Sequence, residues 1–168
     1  MRAYQAADEE PVIALWRRSW QRAYPHIDFT ARLDWWRERW RNEIVPAYAI
    51  VLAENGPTGM DGAADNCATE GTSDRAGEIA GFVTVDPATG YLDQIVVAPE
   101  AWGSPVAAGL IGAAKRVAPS GLDLHVNQDN ARAIRFYEKH GFAISGADTN
   151  PRSGAPLYRM SWRRTGSV

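Results

Sequence analysis

Two stretches of the chain combine residue types in patterns that chemistry can use. In the first, Val97-Ala98-Pro99-Glu100-Ala101-Trp102-Gly103-Ser104-Pro105-Val106-Ala107-Ala108, an apolar run passes a short turn and enters a helix of small residues. Ser104 is placed to cap that helix and Pro105 to occupy its first turn. A helix start gathers unpaired backbone N–H groups and the positive end of the macrodipole, so it can hold a phosphate or pyrophosphate. Gly103, Ala107, Ala108 and Gly109 leave room for a ligand to approach the backbone, although an ordinary capped helix accounts for the same segment. In the second stretch, Ala133, Phe136, Tyr137 and His140 share one helical face, and core packing alone explains those aromatics. It does not explain why Asn130, Tyr137 and the pair Gly141-Phe142 occur together.

The elements that must position these residues follow from periodicity. A short strand is expected near residues 2–5, then a helix from about Asp8 with Val12, Leu15, Trp16, Trp20 and Ala23 on its buried stripe. Asp8 is its expected cap, Pro11 falls in its first turn, and Pro25 ends it. A second helix is predicted from about Thr30, with Leu33, Trp36 and Trp40 on one face, Arg32, Arg39 and Arg41 around it, and Pro46 as its stop. Residues 47–53 read as a strand. Residues 55–78 are Gly, Ala, Asp, Thr and Ser with almost nothing to bury, and read as a flexible insertion between neighbouring strands. Residues 78–85 and 91–97 read as a hairpin turning at 86–90. Helices are predicted over 105–117 and 130–140, and strands over 122–126, 142–145 and 157–162. A hairpin followed by crossover helices argues for one α/β domain, residues 1–168, with a mixed central sheet of about six or seven strands and about four helices on its two faces.

Asn130-x-x-Ala133-x-x-Phe136-Tyr137-x-x-x-Gly141-Phe142 resembles the last signature motif of the GNAT N-acetyltransferase superfamily, and residues 97–108 stand where that family places its pyrophosphate loop. The resemblance covers nearly the whole chain outside residues 55–78. It implies the GNAT fold, acetyl-CoA as cosubstrate, and direct transfer of the acetyl group to a primary amine of a small molecule or protein. It further implies that the backbone of Ile95, Val96 and Val97 meets the pantetheine arm. Trp102, Gly103, Ser104, Val106, Ala107 and Ala108 would form the pyrophosphate loop, and Asn130 and Ala133 would lie against the cofactor. Tyr137 would protonate the departing CoA thiolate, a task suited to a phenol that is protonated at neutral pH. Two positions depart from the family pattern. Trp102 stands where Arg or Gln is usual, and Pro105, which has no N–H, stands where Gly is usual.

Direct transfer needs a neutral amine, and Asp93, on the strand leading into the loop, is the expected general base, with a solvent-facing hairpin residue as its plainer reading. The resemblance places the acceptor pocket at the first two helices and the last hairpin, hence at Trp20, Tyr24, His26, Asp28, Trp35, Trp36 and Trp40, with a substrate contact expected of His26; aromatic helix faces are more often core than pocket. The Arg-rich second helix reads as a solvated face.

Composition bounds the remaining readings. A formal charge of -2 gives no general attraction to nucleic acid. The single cysteine, Cys67, cannot form an internal disulfide, and neither it nor the three histidines show metal-ligand spacing. No run reaches the roughly 20 apolar residues of a membrane helix, and the N-terminus has no signal-like apolar core. A cytoplasmic protein without metal is expected, with a homodimer as a fair expectation for the family. The competing expectation is a non-catalytic acyl-CoA-binding module with the same fold.

Overall fold

A computed structural model describes residues 1–55 and 77–164. The insertion expected over residues 55–78 therefore lies, apart from its ends, outside the described residues. Those ends meet: Asn55 N donates to Glu78 O at 2.9 Å and Gly77 N to Asn55 O at 3.3 Å. They join strands β2 (Ala49–Glu54) and β3 (Ile79–Val85), which pair antiparallel along their length.

The strands form two sheets rather than the single mixed sheet expected. One has the order β1-β2-β3-β4, with β1 at Arg2–Ala3 and β4 at Leu92–Val97. The other has the order β5-β7-β6, with β5 at Gly121–Asn127, β6 at Ala143–Thr149 and β7 at Pro156–Arg163. Pairing within each is antiparallel. The sheets touch where Tyr91 bridges Asp123 in parallel and Asp123 N donates to Gly90 O at 3.0 Å. Beyond that point β4 and β5 part and a cleft opens between them.

The junction depends on glycine. Gly90 has φ +75°, and a Cβ there would stand 2.5 Å from the carbonyl oxygen of Gly121. Gly90→Ala thus combines a left-handed backbone with a backbone clash, and is expected to cost about 2–3 kcal/mol, read as a lowered denaturation midpoint with an unaltered m-value.

Helix α1 (Glu9–Ala23) buries Val12, Ile13, Leu15, Trp16 and Ser19, as its apolar stripe requires. Asp8 precedes it but makes no side-chain cap bond. Its carboxylate instead accepts two 2.7 Å bonds from Arg2 and one from Gln5 N, because Asp8 closes the 3-10 turn Ala6–Asp8. The hydrogen bonds from the Arg2 guanidinium hold Asp8 below the usual carboxylate range, outweighing the burial that would raise it.

The second helical stretch is segmented. A 3-10 turn, Thr30–Arg32, is capped by Asp28 Oδ1, which accepts from Thr30 N and Ala31 N. Helix α2 (Leu33–Arg39) follows, then a π-helical turn Trp40–Ile44 and a last turn α3 (Val45–Ala47). Pro46, expected to stop the helix, sits inside α3. It occupies the first turn of α3, directly after the π-helical turn, and the helical stretch ends one residue later at Ala47.

Helices α4 (Val106–Val117) and α5 (Ala131–Lys139) complete the fold. The core divides into two clusters. One joins α1 and α2 to Leu52, Phe82 and Val96, with Trp16, Trp36 and Trp40 at its centre. The other joins α4 and α5 to Val83, Leu122, Leu124 and Met160. Strand β3 is buried at every residue, which explains a run that is apolar but for Thr84, whose hydroxyl accepts from Gln94 N at 3.0 Å. Among the described residues no helix is long and apolar enough to cross a membrane.

Candidate active site

The cleft between β4 and β5 encloses about 2340 Å³ and is lined by both strands, the loop before α4, the inner face of α5 and the aromatic face of α1 and α2. Its β4 wall is an open strand edge. Ala98 N donates to Ala80 O at 2.8 Å, and Val96 pairs with Phe82, so the peptide groups of residues 96 and 98 turn toward β3. By alternation, those of Ile95 and Val97 turn toward the cleft. The Val97 carbonyl is already engaged: it accepts from Ser19 Oγ at 3.0 Å and Trp102 Nε1 at 2.9 Å. The backbone of Val96, expected beside that of its neighbours, faces β3 instead.

Trp102 is thus an internal strut of the loop. The Arg132 guanidinium lies 4.7 Å from the centre of its ring and brings to the cleft a cation that the loop itself lacks. Gly103 has φ +86° with open space where a Cβ would stand. The capping arrangement is shifted by one residue from expectation: Pro105 is the N-cap of α4 and Val106 its first residue. Ser104 Oγ donates to Ala101 O at 2.6 Å and accepts from Val106 N at 3.3 Å. Ser104 N donates to Ala101 O at 3.2 Å. The amides of Ser104 and Val106 are therefore engaged within the loop. Helix geometry leaves those of Ala107 and Ala108 as donors at the helix start.

Asn130 caps α5, its side chain accepting from Ala133 N at 3.1 Å. The strongly amphipathic sequence behind it turns Ala133 and Tyr137 to the cleft and Arg135 outward, while Arg132 reaches over the Trp102 ring at the cleft's rim. Tyr137 is 7 % exposed, with Phe142 5.5 Å away ring to ring. Burial, and to a lesser degree the proximity of Tyr91, pushes its phenol well above the ordinary tyrosine range, so it stays protonated.

Asp93 is not the free base expected. Opposite it the β3–β4 register shifts, Thr84 pairing with Gln94 and Val85 with Leu92, so Asp93 is the extra residue of a β-bulge. The bulge aims it at α2, where both carboxylate oxygens accept from Arg39, at 3.0 and 2.7 Å. The Arg39 guanidinium in turn lies 5.5 Å from the Trp36 ring. Asp93 therefore anchors Arg39 in the cleft wall.

Of the residues expected at the acceptor end, Trp20, Tyr24, His26, Trp35 and Trp36 line the cleft, whereas Trp40 is buried in the core and Asp28 is engaged by the amides of Thr30 and Ala31. Trp20 stacks on Tyr24 at 5.7 Å, His26 meets Tyr24 edge-on at 6.2 Å, and Asn127 Nδ2 donates to Tyr24 Oη across to β5 at 3.0 Å. Sequence reasoning missed several neighbours. Arg152, between β6 and β7, lies 3.7 Å from the Trp35 ring. Tyr91, His125 and Asp148 form a hydrogen-bonded chain: Tyr91 Oη is 3.1 Å from His125 Nδ1, and His125 Nε2 is 2.9 Å from Asp148 Oδ2. Only Arg132, two residues beyond Asn130, carried a local signal. Among the described residues no three His, Cys, Asp or Glu side chains converge as a metal site, and Cys67 lies outside them.

A family model for the acetyltransferase (GNAT) family matches residues 10–142, most of the chain. The chain belongs to the GNAT family. A GNAT relative, the peptidyl-lysine N-acetyltransferase YjaB of Salmonella typhimurium, is 26% identical over 148 residues, 88% of this chain and 85% of that protein. The solution structure of apo YjaB from Escherichia coli matches with TM-score 0.68 and 21% identity, covering 96% of this chain and 95% of that one. The PaiA N-acetyltransferase from Thermoplasma acidophilum, solved in complex with coenzyme A, matches with TM-score 0.69 and 19% identity over 97% of each chain. These likenesses show the GNAT fold, and family membership supports acyltransferase activity.

Proposed function

We propose that this GNAT protein transfers the acetyl group of acetyl-CoA directly to a primary amine of a small molecule or protein, with Tyr137 protonating the CoA thiolate. The observation that carries the reading is Tyr137 itself: a buried phenol, held protonated, in a cleft also lined by the strand edge where the peptide groups of Ile95 and the Val97 N–H turn away from β3. The extended pantetheine arm would complete that edge as an added strand does. Ala107, Ala108 and Arg132 would receive the pyrophosphate, the last offsetting the Arg or Gln that Trp102 replaces. The coenzyme A in the PaiA structure and the peptidyl-lysine acceptor in the YjaB name both support this reading. Trp20, Tyr24 and His26 would contact the acceptor.

Calorimetric titration with acetyl-CoA, followed by release of free CoA thiol in the presence of a panel of amines, tests the proposal. One-site binding with amine-dependent thiol release is the expected result. Binding without release from any amine would favour the non-catalytic acyl-CoA-binding module.

The same titration reads the loop. Pro105→Gly restores an N–H to the helix start, and a hydrogen bond to a charged group contributes about 1.5–3 kcal/mol. Acetyl-CoA affinity should rise roughly tenfold. Weaker binding would show that the proline contributes more by fixing the loop than its N–H would by donating.

A further inference from the structure

We propose that Tyr91, His125 and Asp148 form a proton relay that deprotonates the acceptor amine, with Tyr91 as the group that meets the substrate and His125 as the base. The proposal rests on the acetyltransferase reading and supplies the base that Asp93, held by Arg39, does not.

The three residues come from three strands. Tyr91 precedes β4 at the one point where the two sheets bridge, His125 lies on β5, and Asp148 lies on β6, across β7 from β5. All three line the cleft. On β5, Leu122, Leu124 and Val126 are buried in the cluster beneath α4 and α5, so alternation turns His125 to the face of α1 and α2, where the acceptor aromatics lie. Tyr91 and Tyr137, the proposed acid, line the same cleft.

The chain has a direction. With Nε2–H donating to Asp148, Nδ1 carries the lone pair and accepts from the Tyr91 hydroxyl, leaving the Tyr91 oxygen free to accept from an ammonium. As the ammonium gives an N–H proton to Tyr91 Oη, Tyr91 passes its own to His125 Nδ1, and a neutral amine and an imidazolium result. The amine then forms the C–N bond as the C–S bond breaks. Tyr137 protonates the thiolate and regains a proton from the nitrogen. One proton is left over, on His125, whose side chain is 31% exposed beside Asp148 at 44%, and water can remove it.

Tyr91 acts as a conduit because burial, with Asp93 and Tyr48 adding to it against Arg39, pushes its phenol up to about 12, so it does not hold a negative charge. The charged and titratable groups around the relay are Asp93, Arg39 and the neutral phenol of Tyr48 toward α2 and α3, the neutral phenol of Tyr137 on α5, Asp148 on β6, and Arg159, the register partner of His125 on β7. The plain alternative is that His125–Asp148 only ties β5 to β6.

Two measurements decide between them. Nitrogen-15 NMR of the His125 ring at neutral pH, in protein with both its Tyr91 and Asp148 partners intact, should show a protonated Nε2 and a lone pair at Nδ1. A proton on Nδ1 would reverse the Tyr91 bond and overturn the relay, whatever the acceptor. Kinetically, with Nα-acetyl-lysine methylamide as probe, His125→Gln should lower kcat/KM about 10²-fold at pH 7. The deficit should shrink toward pH 10, where roughly a quarter of the amine is already neutral without help. It should also be small for hydroxylamine, already neutral at pH 7. A deficit independent of pH and of amine basicity marks a structural tie and overturns the proposal. Acetyl-CoA binding, measured separately, reports on the underlying reading: its absence would remove the acetyltransferase assignment, whereas normal binding with the wrong tautomer removes only the relay.

Discussion

Tyr137→Phe is expected to lower turnover about 10²-fold or more, while acetyl-CoA affinity stays within a factor of two of wild type. General acid catalysis contributes typically 10²–10⁴-fold, and the substitution removes the acid and little else. Phe keeps the ring that packs against Phe142 and Phe136, so α5 and the cleft wall should stand. Because burial raises the Tyr137 phenol, the protonated form is favoured well above neutrality. The wild-type rate should therefore show no loss from this group as pH rises from 6 to 9. Steady-state release of CoA thiol, paired with calorimetric acetyl-CoA binding, separates the two effects. An unchanged rate would remove Tyr137 as the acid, and a parallel loss of binding would make it a wall of the cosubstrate site.

Trp40→Ala is expected to be the most damaging single truncation in the fold, at about 3–5 kcal/mol. Trp40 is fully buried at the start of the π-helical turn, with the rings of Tyr4, Phe82 and Trp36 centred 5.5, 5.6 and 5.9 Å away. Its indole N–H donates to Tyr4 Oη at 3.3 Å. Truncation leaves a ring-sized void between α2 and the β1-β2-β3-β4 sheet, and takes a donor from Tyr4. For a domain of this size the thermal midpoint should fall by roughly 6–20 °C. Trp35→Ala is the internal control: its ring is partly buried against Arg152, so a much smaller drop should follow. Equal losses at the two positions would contradict the packing described.

What could be read from the chain alone divides along a physical line. Asn130, Ala133, Tyr137 and Phe142 were legible together because a single helix fixes their spacing, and a helix is specified by local pattern. The alternation of apolar runs with helical stretches gave the α/β class for the same reason. The π-helical turn stayed hidden, since Trp36, Trp40 and Ile44 keep the four-residue spacing of an ordinary helix. Asp93 was misread because its side-chain direction depends on a bulge set by the β3–β4 register. That register pairs it with Arg39, 54 residues earlier. His125 and Asp148 are 23 residues apart on strands that meet only because β7 inserts between them. No periodicity in a sequence reports such an order. The division into two sheets was likewise invisible: both strands at the split read as ordinary apolar strands, and only the backbone shows that they stop pairing.

The join between β2 and β3 has an engineering consequence. The strands pair up to Asn55 and Glu78, whose backbones are hydrogen-bonded to each other, so the two chain ends at that point are held a short span apart by the sheet itself. Lengthening the connection between them adds a loop-closure cost that grows with the logarithm of length, at about 0.6 kcal/mol per doubling. The junction is therefore a port: a fluorescent label, an affinity tag or a whole domain with neighbouring termini can be spliced in there while the catalytic cleft keeps its walls.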